Sequence, residues 1–189
     1  MEKILDPGQE NKTIMKNGKI HLYTGNGKGK TTAALGLALR AAGHGLRSLV
    51  IQFMKGRHYS ELTAAHRLKE LIRIEQYGSP RLCLPQEKDL AHHRQHAFNG
   101  LERAGEALSN DPFWDLVILD EIVTAVYFKL ITEKDLFDLT ERRRPDLELV
   151  LTGRYASAAL IHRCHLVTEM VEIRHYYQDG VEARPGIEM

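Results

Sequence analysis

Short apolar runs alternate with longer amphipathic stretches along most of the chain. Lys19–Thr24 (KIHLYT), Arg47–Phe53 (RSLVIQF), Leu71–Gln76 (LIRIEQ), Asp115–Asp120 (DLVILD), Asp146–Leu151 and Leu166–Ile173 have the length and β-branched content of strands. Between them the apolar residues recur at helical spacing. The run TTAALGLALRAAGHG predicts a mostly buried helix ended by Gly43 or Gly45. MKGRHYSEL predicts a loop entering a helix, with Ser60 as its N-cap. Gln86–Ser109 predicts a long helix ended by Asn110-Asp111-Pro112, Thr132–Arg143 one stopped before Pro145, and Ser157–Arg163 a short one. Gly78–Pro85 reads as irregular, and Gln178-Asp179-Gly180 as a turn before a tail. Residues 1–17 are polar and read as an arm ahead of a single domain, 18–189. Persistent strand–helix alternation predicts an α/β fold: a mainly parallel central sheet with helices on both faces.

Composition changes this picture little. The 189 residues are 43% hydrophobic and 27% charged, with a formal net charge of +1. No global field draws such a chain to nucleic acid or to a membrane surface. Cys83 and Cys164 form no CxxC and suggest no disulfide framework. The N-terminus lacks the apolar core of a signal peptide, and no run of about 18 apolar residues exists. A cytoplasmic protein is expected.

The chemistry concentrates in TGNGKGKTT, Thr24–Thr32. A P-loop reads G-x-x-x-x-G-K-[ST]. Here the first glycine stands one place late, at Gly25, and Lys28 lies inside the loop. Glycines at 25, 27 and 29 allow a tight turn with inward N–H groups, and the following helix offers its N-terminus to an anion. Lys30 can reach phosphate oxygens and the Thr31 hydroxyl can ligate Mg²⁺. The second motif, LVILDE, buries a strand and delivers Asp120 and Glu121 at its end, the Walker B arrangement. No NKxD follows, so ATP is the expected nucleotide. His92 and His96 are four apart on a helix but supply only two ligands, so a solvated face is expected. Glu141-Arg142-Arg143-Arg144 reads as solvated basic residues at a helix C-terminus. No Ser-His-Asp set or catalytic cysteine stands out, which leaves open a nucleophile supplied by the substrate.

TGNGKGKTTAALGLALRAAGHG, QFMKG, LVILDE, LTGR, LVTEM and GVEARPGIE occur in this order from Gly18 onward. The ordered set resembles the P-loop corrinoid adenosyltransferases of the CobA/BtuR type, cob(I)yrinic acid a,c-diamide adenosyltransferases. The resemblance implies a RecA-like P-loop NTPase fold whose loop holds ATP's triphosphate in reverse. It implies that a Co(I) corrinoid attacks the ribose 5′-carbon and that the whole triphosphate leaves. Gly25, Asn26, Gly27, Lys28, Gly29, Lys30, Thr31 and Thr32 would wrap the phosphates. Lys30 and Lys28 would stabilise the departing charge, and Thr31 and Glu121 would contact Mg²⁺. Glu61 and Arg154 match family motifs without an assigned bond. The resemblance further implies a homodimer, an N-terminal segment folded over the site and a reduced flavoprotein as electron donor. The chain departs from the family pattern at Ser60, at Cys164-His165 and at Ser79-Pro80-Arg81. Two rival readings remain: an ATPase or small kinase acting at the γ-phosphate, and an inactive ATP- or corrinoid-binding relative.

Overall fold

The computed structural model describes residues 17–79 and 90–189. The expected arm up to residue 16, most of the irregular stretch (80–85, with Pro80, Arg81 and Cys83) and residues 86–89 lie outside the described residues.

Six strands form one sheet: β1 (Ile20–Thr24), β2 (Ser48–Phe53), β3 (Ile72–Tyr77), β4 (Leu116–Asp120), β5 (Glu148–Thr152) and β6 (Leu166–Glu169). Their order is β3-β2-β4-β5-β1-β6, and every pairing is parallel. The helices are α1 (Lys30–Ala42), α2 (Ser60–Arg67), α3 (Leu90–Ser109), α4 (Ile122–Tyr127), α5 (Glu133–Glu141) and α6 (Ala158–Arg163). Among the described residues no helix is long and apolar enough to cross a membrane.

Strand alternation sorts the core into two layers. Val50, Leu116, Ile118 and Val150 face α1 and α2. Leu49, Ile51, Phe53, Val117, Leu119, Leu149 and Leu151 face α3, α4 and α5 on the other side. Helix α1 meets the sheet through Ala34, Ala38 and Ala42, small residues one turn apart that let the helix lie close. Both faces of the central strands β2, β4 and β5 are therefore covered, as a parallel sheet requires, while the edge strand β6 is exposed along its length.

Four expectations change. The last strand ends at Glu169 instead of Ile173, because Met170 turns across the P-loop: its N–H donates to the Thr24 carbonyl, and its own carbonyl accepts from Gly27. Helix α4, six residues rich in β-branched and aromatic side chains, follows Glu121 where no helix was read. Ser60 does not cap α2; Tyr59 holds the N-cap position, and the Ser60 hydroxyl donates to the Met189 carbonyl at 2.7 Å. Arg143 and Arg144 are half-buried ties, not solvated ends. Arg144 donates to the carbonyls of Asp111 and Trp114, and Arg143 to that of Leu147.

Candidate active site

The site stands on the C-terminal rim of the sheet, where the loops after β1, β2, β4 and β5 converge. This is where open parallel sheets bind ligands. A cleft of about 510 Å³ runs between the P-loop, Lys55, Glu61, Glu121 and Arg154. A groove of similar volume, about 530 Å³, lies between α3 and α5, and no P-loop or Walker residue borders it.

The shifted glycine has a structural reason. Gly25 has φ +93°, and a Cβ there would lie 2.4 Å from the Met170 carbonyl oxygen. Only glycine fits both the left-handed backbone and the crossing chain. The Gly27 N–H donates to Met170 at 2.7 Å, so this amide is used to fasten the loop to the end of β6. Of the eight loop residues expected at the phosphates, Gly27 to Thr32 line the cleft; Gly25 and Asn26 do not. Helix α1 begins at Lys30 with no side-chain cap and no acid in its first turn. Its first N–H groups and the positive end of its dipole are thus left to an anion.

Lys30 is only 5% exposed. Its Nζ donates to the carbonyls of Gly25 and Gly27, both at 2.7 Å. Burial lowers its pKa from the ordinary lysine value, partly offset by Glu121 and Asp120. Lys28 points to the opposite lip, where its Nζ meets the Tyr176 hydroxyl at 2.8 Å and Glu188 at 2.5 Å.

Beneath the loop Asp120 is fully buried. One carboxylate oxygen accepts from Thr31 and Thr152 at 2.8 Å each, the other from Lys55 at 2.9 Å and Gln52 at 3.2 Å. Its partners come from the start of α1, from β2 and the loop after it, and from β5, so Asp120 ties these parts together. Burial alone would pull Lys55 down, but Asp120 and Glu61 outweigh it and hold Lys55 above its usual pKa. Lys55 lies 3.7 Å from Glu61, which also accepts from Gln52.

Glu121 has φ +62°, an uncommon left-handed backbone for a non-glycine residue. Its N–H donates to the Thr152 hydroxyl at 2.9 Å, and its carboxylate accepts from Thr124 at 2.5 Å. Thr124 in turn accepts from the Arg154 N–H at 2.9 Å. Gly153, at φ +144°, brings that turn so near that a Cβ would sit 2.6 Å from the Thr124 nitrogen. The Arg154 guanidinium lines the cleft and makes no hydrogen bond or ion pair among the described residues.

The oxygen donors suit magnesium. Thr31 gives its proton to Asp120, leaving its oxygen lone pairs, and Glu121 borders the same cleft. Magnesium commonly takes one or two protein oxygens and leaves the rest to phosphates and water.

The remaining candidates fall away from the site. His92 and His96 meet at 3.0 Å on α3, and no group of three metal-ligating residues exists among the described residues. Cys164 packs against the core, and burial pushes its thiol up to about 11. His165 accepts from the Ile20 N–H at 3.0 Å, a tie at the sheet edge. Sequence reading missed Lys55, Tyr59, Tyr176 and Glu188 as site residues. QFMKG and GVEARPGIE already held Lys55 and Glu188 as conspicuous motif residues.

Comparison with known proteins agrees with this geometry. The chain is 30% identical to the corrinoid adenosyltransferase CobA of Salmonella typhimurium over 176 residues, covering 92% of this chain and 86% of that one. It is 31% identical to corrinoid adenosyltransferases of a Sinorhizobium species and of Pseudomonas aeruginosa, over 92% of this chain and 81% and 84% of theirs. A solved KaiC-like protein from Pyrococcus horikoshii shares the fold at a TM-score of 0.51 and 16% identity, covering 82% of this chain and 73% of that one. This is the RecA-like P-loop fold. Residues 16–189 match the family described as ATP:corrinoid adenosyltransferase BtuR/CobO/CobP, and the chain belongs to that family.

Proposed function

We propose that the protein is a transferase that moves the adenosyl group of ATP to a reduced corrinoid. The observation that carries this reading is a family match over residues 16–189 joined to a P-loop whose shifted glycine is built into the fold. The corrinoid is the nucleophile: the Co(I) electron pair forms a bond to the ribose 5′-carbon while the carbon–oxygen bond to triphosphate breaks. Triphosphate departs with that electron pair. The cofactor-like substrate thus brings the reactive centre, and the chain supplies orientation and charge.

In this reading the α1 N-terminus and the loop from Gly27 to Thr32 cradle the phosphates, with Gly25 and Asn26 shaping the turn. Lys30 turns from the loop carbonyls to the departing oxygens, which is electrostatic stabilisation of developing charge. Lys28 adds a second positive charge, and Lys55 and Arg154 are further cations on the cleft wall. Thr31 and Glu121 would hold Mg²⁺, which supplies further charge neutralisation when bound. Asp120 and Lys55 keep Thr31 in place from below.

Other parts of the proposal rest on the family resemblance. We assign a homodimer, a cytoplasmic location, a reduced flavoprotein as electron donor and a role in making or salvaging coenzyme B12.

Identifying the phosphate product tests the proposal. The protein is mixed with Mg-ATP and chemically reduced cobalamin, then with reduced cobinamide. Intact triphosphate together with an adenosylated corrinoid is expected. ADP and inorganic phosphate would mean attack at phosphorus and would sink the proposal. Binding of ATP with no turnover on either corrinoid would favour an inactive relative.

A further inference from the structure

The segment after β6 carries GVEARPGIE, a motif that the proposed chemistry leaves without a task. In the structure it folds back onto the P-loop. A 3₁₀ turn, Tyr176–Asp179, ends at Gly180, and the chain then closes a tight turn in which the N–H groups of Ile187, Glu188 and Met189 donate to the Arg184 carbonyl. This turn presents one carboxylate, that of Glu188. Arg184 grips it from behind with its backbone N–H at 2.9 Å and its guanidinium at 3.3 Å, and the guanidinium lies 4.9 Å from the centre of the Tyr176 ring. The front of the carboxylate meets the Tyr176 hydroxyl and Lys28, the latter at 2.5 Å. Ser60 fastens the next residue across the cleft through the Met189 carbonyl. Glu188 and Lys28 both line the cleft.

A carboxylate on a P-loop lysine offers the same thing a phosphate offers: anionic oxygens at hydrogen-bond distance from Nζ. Both cannot hold Lys28 well at once, since the carboxylate would repel a polyanion in the same cleft. We propose that Glu188 is a displaceable anion of the nucleotide site, competing with the polyphosphate for Lys28. The inference rests on the reading that the loop holds ATP's polyphosphate. It gives the strap a task in the reaction. The leaving group is a whole triphosphate facing several cations, and product release is commonly slow in such sites. A carboxylate returning to Lys28 weakens that hold. Bonds from Arg184, Lys28 and Tyr176 keep Glu188 well below the usual carboxylate range, so the strap is opened by a competing anion and not by a proton.

Isothermal titration with Mg-tripolyphosphate tests this on the full chain. Glu188→Gln keeps the shape and removes the charge. Its Kd for tripolyphosphate is expected to fall roughly two- to five-fold, the range of one exposed charge pair, and the gain is expected to shrink with added salt. In a Lys28→Ala background the same substitution is expected to gain less, since only the through-space repulsion is left once the competition for Lys28 is gone. Unchanged or weaker binding by Glu188→Gln, with wild type binding normally, would overturn the inference alone. Wild-type protein that fails to bind tripolyphosphate would overturn both the inference and the phosphate role of the loop.

Discussion

Lys30 keeps its charge where burial disfavours it. Two loop carbonyls at 2.7 Å compensate in part, and the lowered pKa records what they leave unmet. A polyphosphate against the ammonium would raise that pKa, so binding would take up a proton on the alkaline side. Affinity for tripolyphosphate is therefore expected to weaken as pH climbs through the lowered Lys30 value, and to weaken less in Lys30→Ala. Calorimetry over the alkaline range checks this; parallel slopes in the two proteins would remove Lys30 from the phosphate site. On the rate, removing one preorganised donor of developing charge costs about 10²- to 10³-fold in kcat. Lys30→Ala is expected to lose that much in a single-turnover assay of adenosyl transfer.

The elements divide into those that local chemistry fixes and those that distant contacts fix. Helix α5 belongs to the first kind. Thr132 accepts from the Asp135 N–H at 3.1 Å, and the Asp135 carboxylate accepts from the Thr132 N–H at 2.9 Å and hydroxyl at 2.6 Å, a complete capping box. These bonds hold Asp135 below the usual carboxylate range. A carboxylate depressed in the folded state stabilises above its unfolded pKa, and that contribution fades as pH falls through the folded value. Asp135→Ala is expected to cost about 1 kcal/mol at neutral pH. The deficit is expected to narrow in acid, as urea unfolding at both conditions would reveal; a constant deficit would mean that packing, not the charged cap, is lost. The same division explains what the sequence made legible. Apolar strand runs, the alanine face of α1 and the Walker residues carry local signals, and the fold and the position of the glycine-rich loop follow from them. Helix α4 carries none, since Val123, Thr124 and Tyr127 are as suited to a strand. Arg143 and Arg144 resemble a solvated helix end until Trp114 and Leu147 are known to lie beside them. The Lys28–Glu188 pair spans 160 positions, and no spacing rule reaches that far.

At the scale of the whole molecule, the contacts that tie the site together cross between separate parts of the sheet rim. Asp120 joins the P-loop to β2 and β5, Met170 stitches the loop to β6, and Glu188 brings the last described turn onto Lys28. Filling the cleft should then stabilise more than one loop. A ligand that binds only the folded chain adds RT ln(1 + [L]/Kd), about 2.7 kcal/mol at about 100 times Kd. Mg-tripolyphosphate is expected to raise the unfolding free energy of the wild type by that amount. The same concentration should give a smaller gain in Lys30→Ala, lower by about RT ln of the ratio of the two Kd values. Calorimetric melting on the two proteins separates the outcomes. Equal gains would show that the anion binds somewhere other than the P-loop, and the chain's assigned chemistry would then have to be rebuilt around a different cradle.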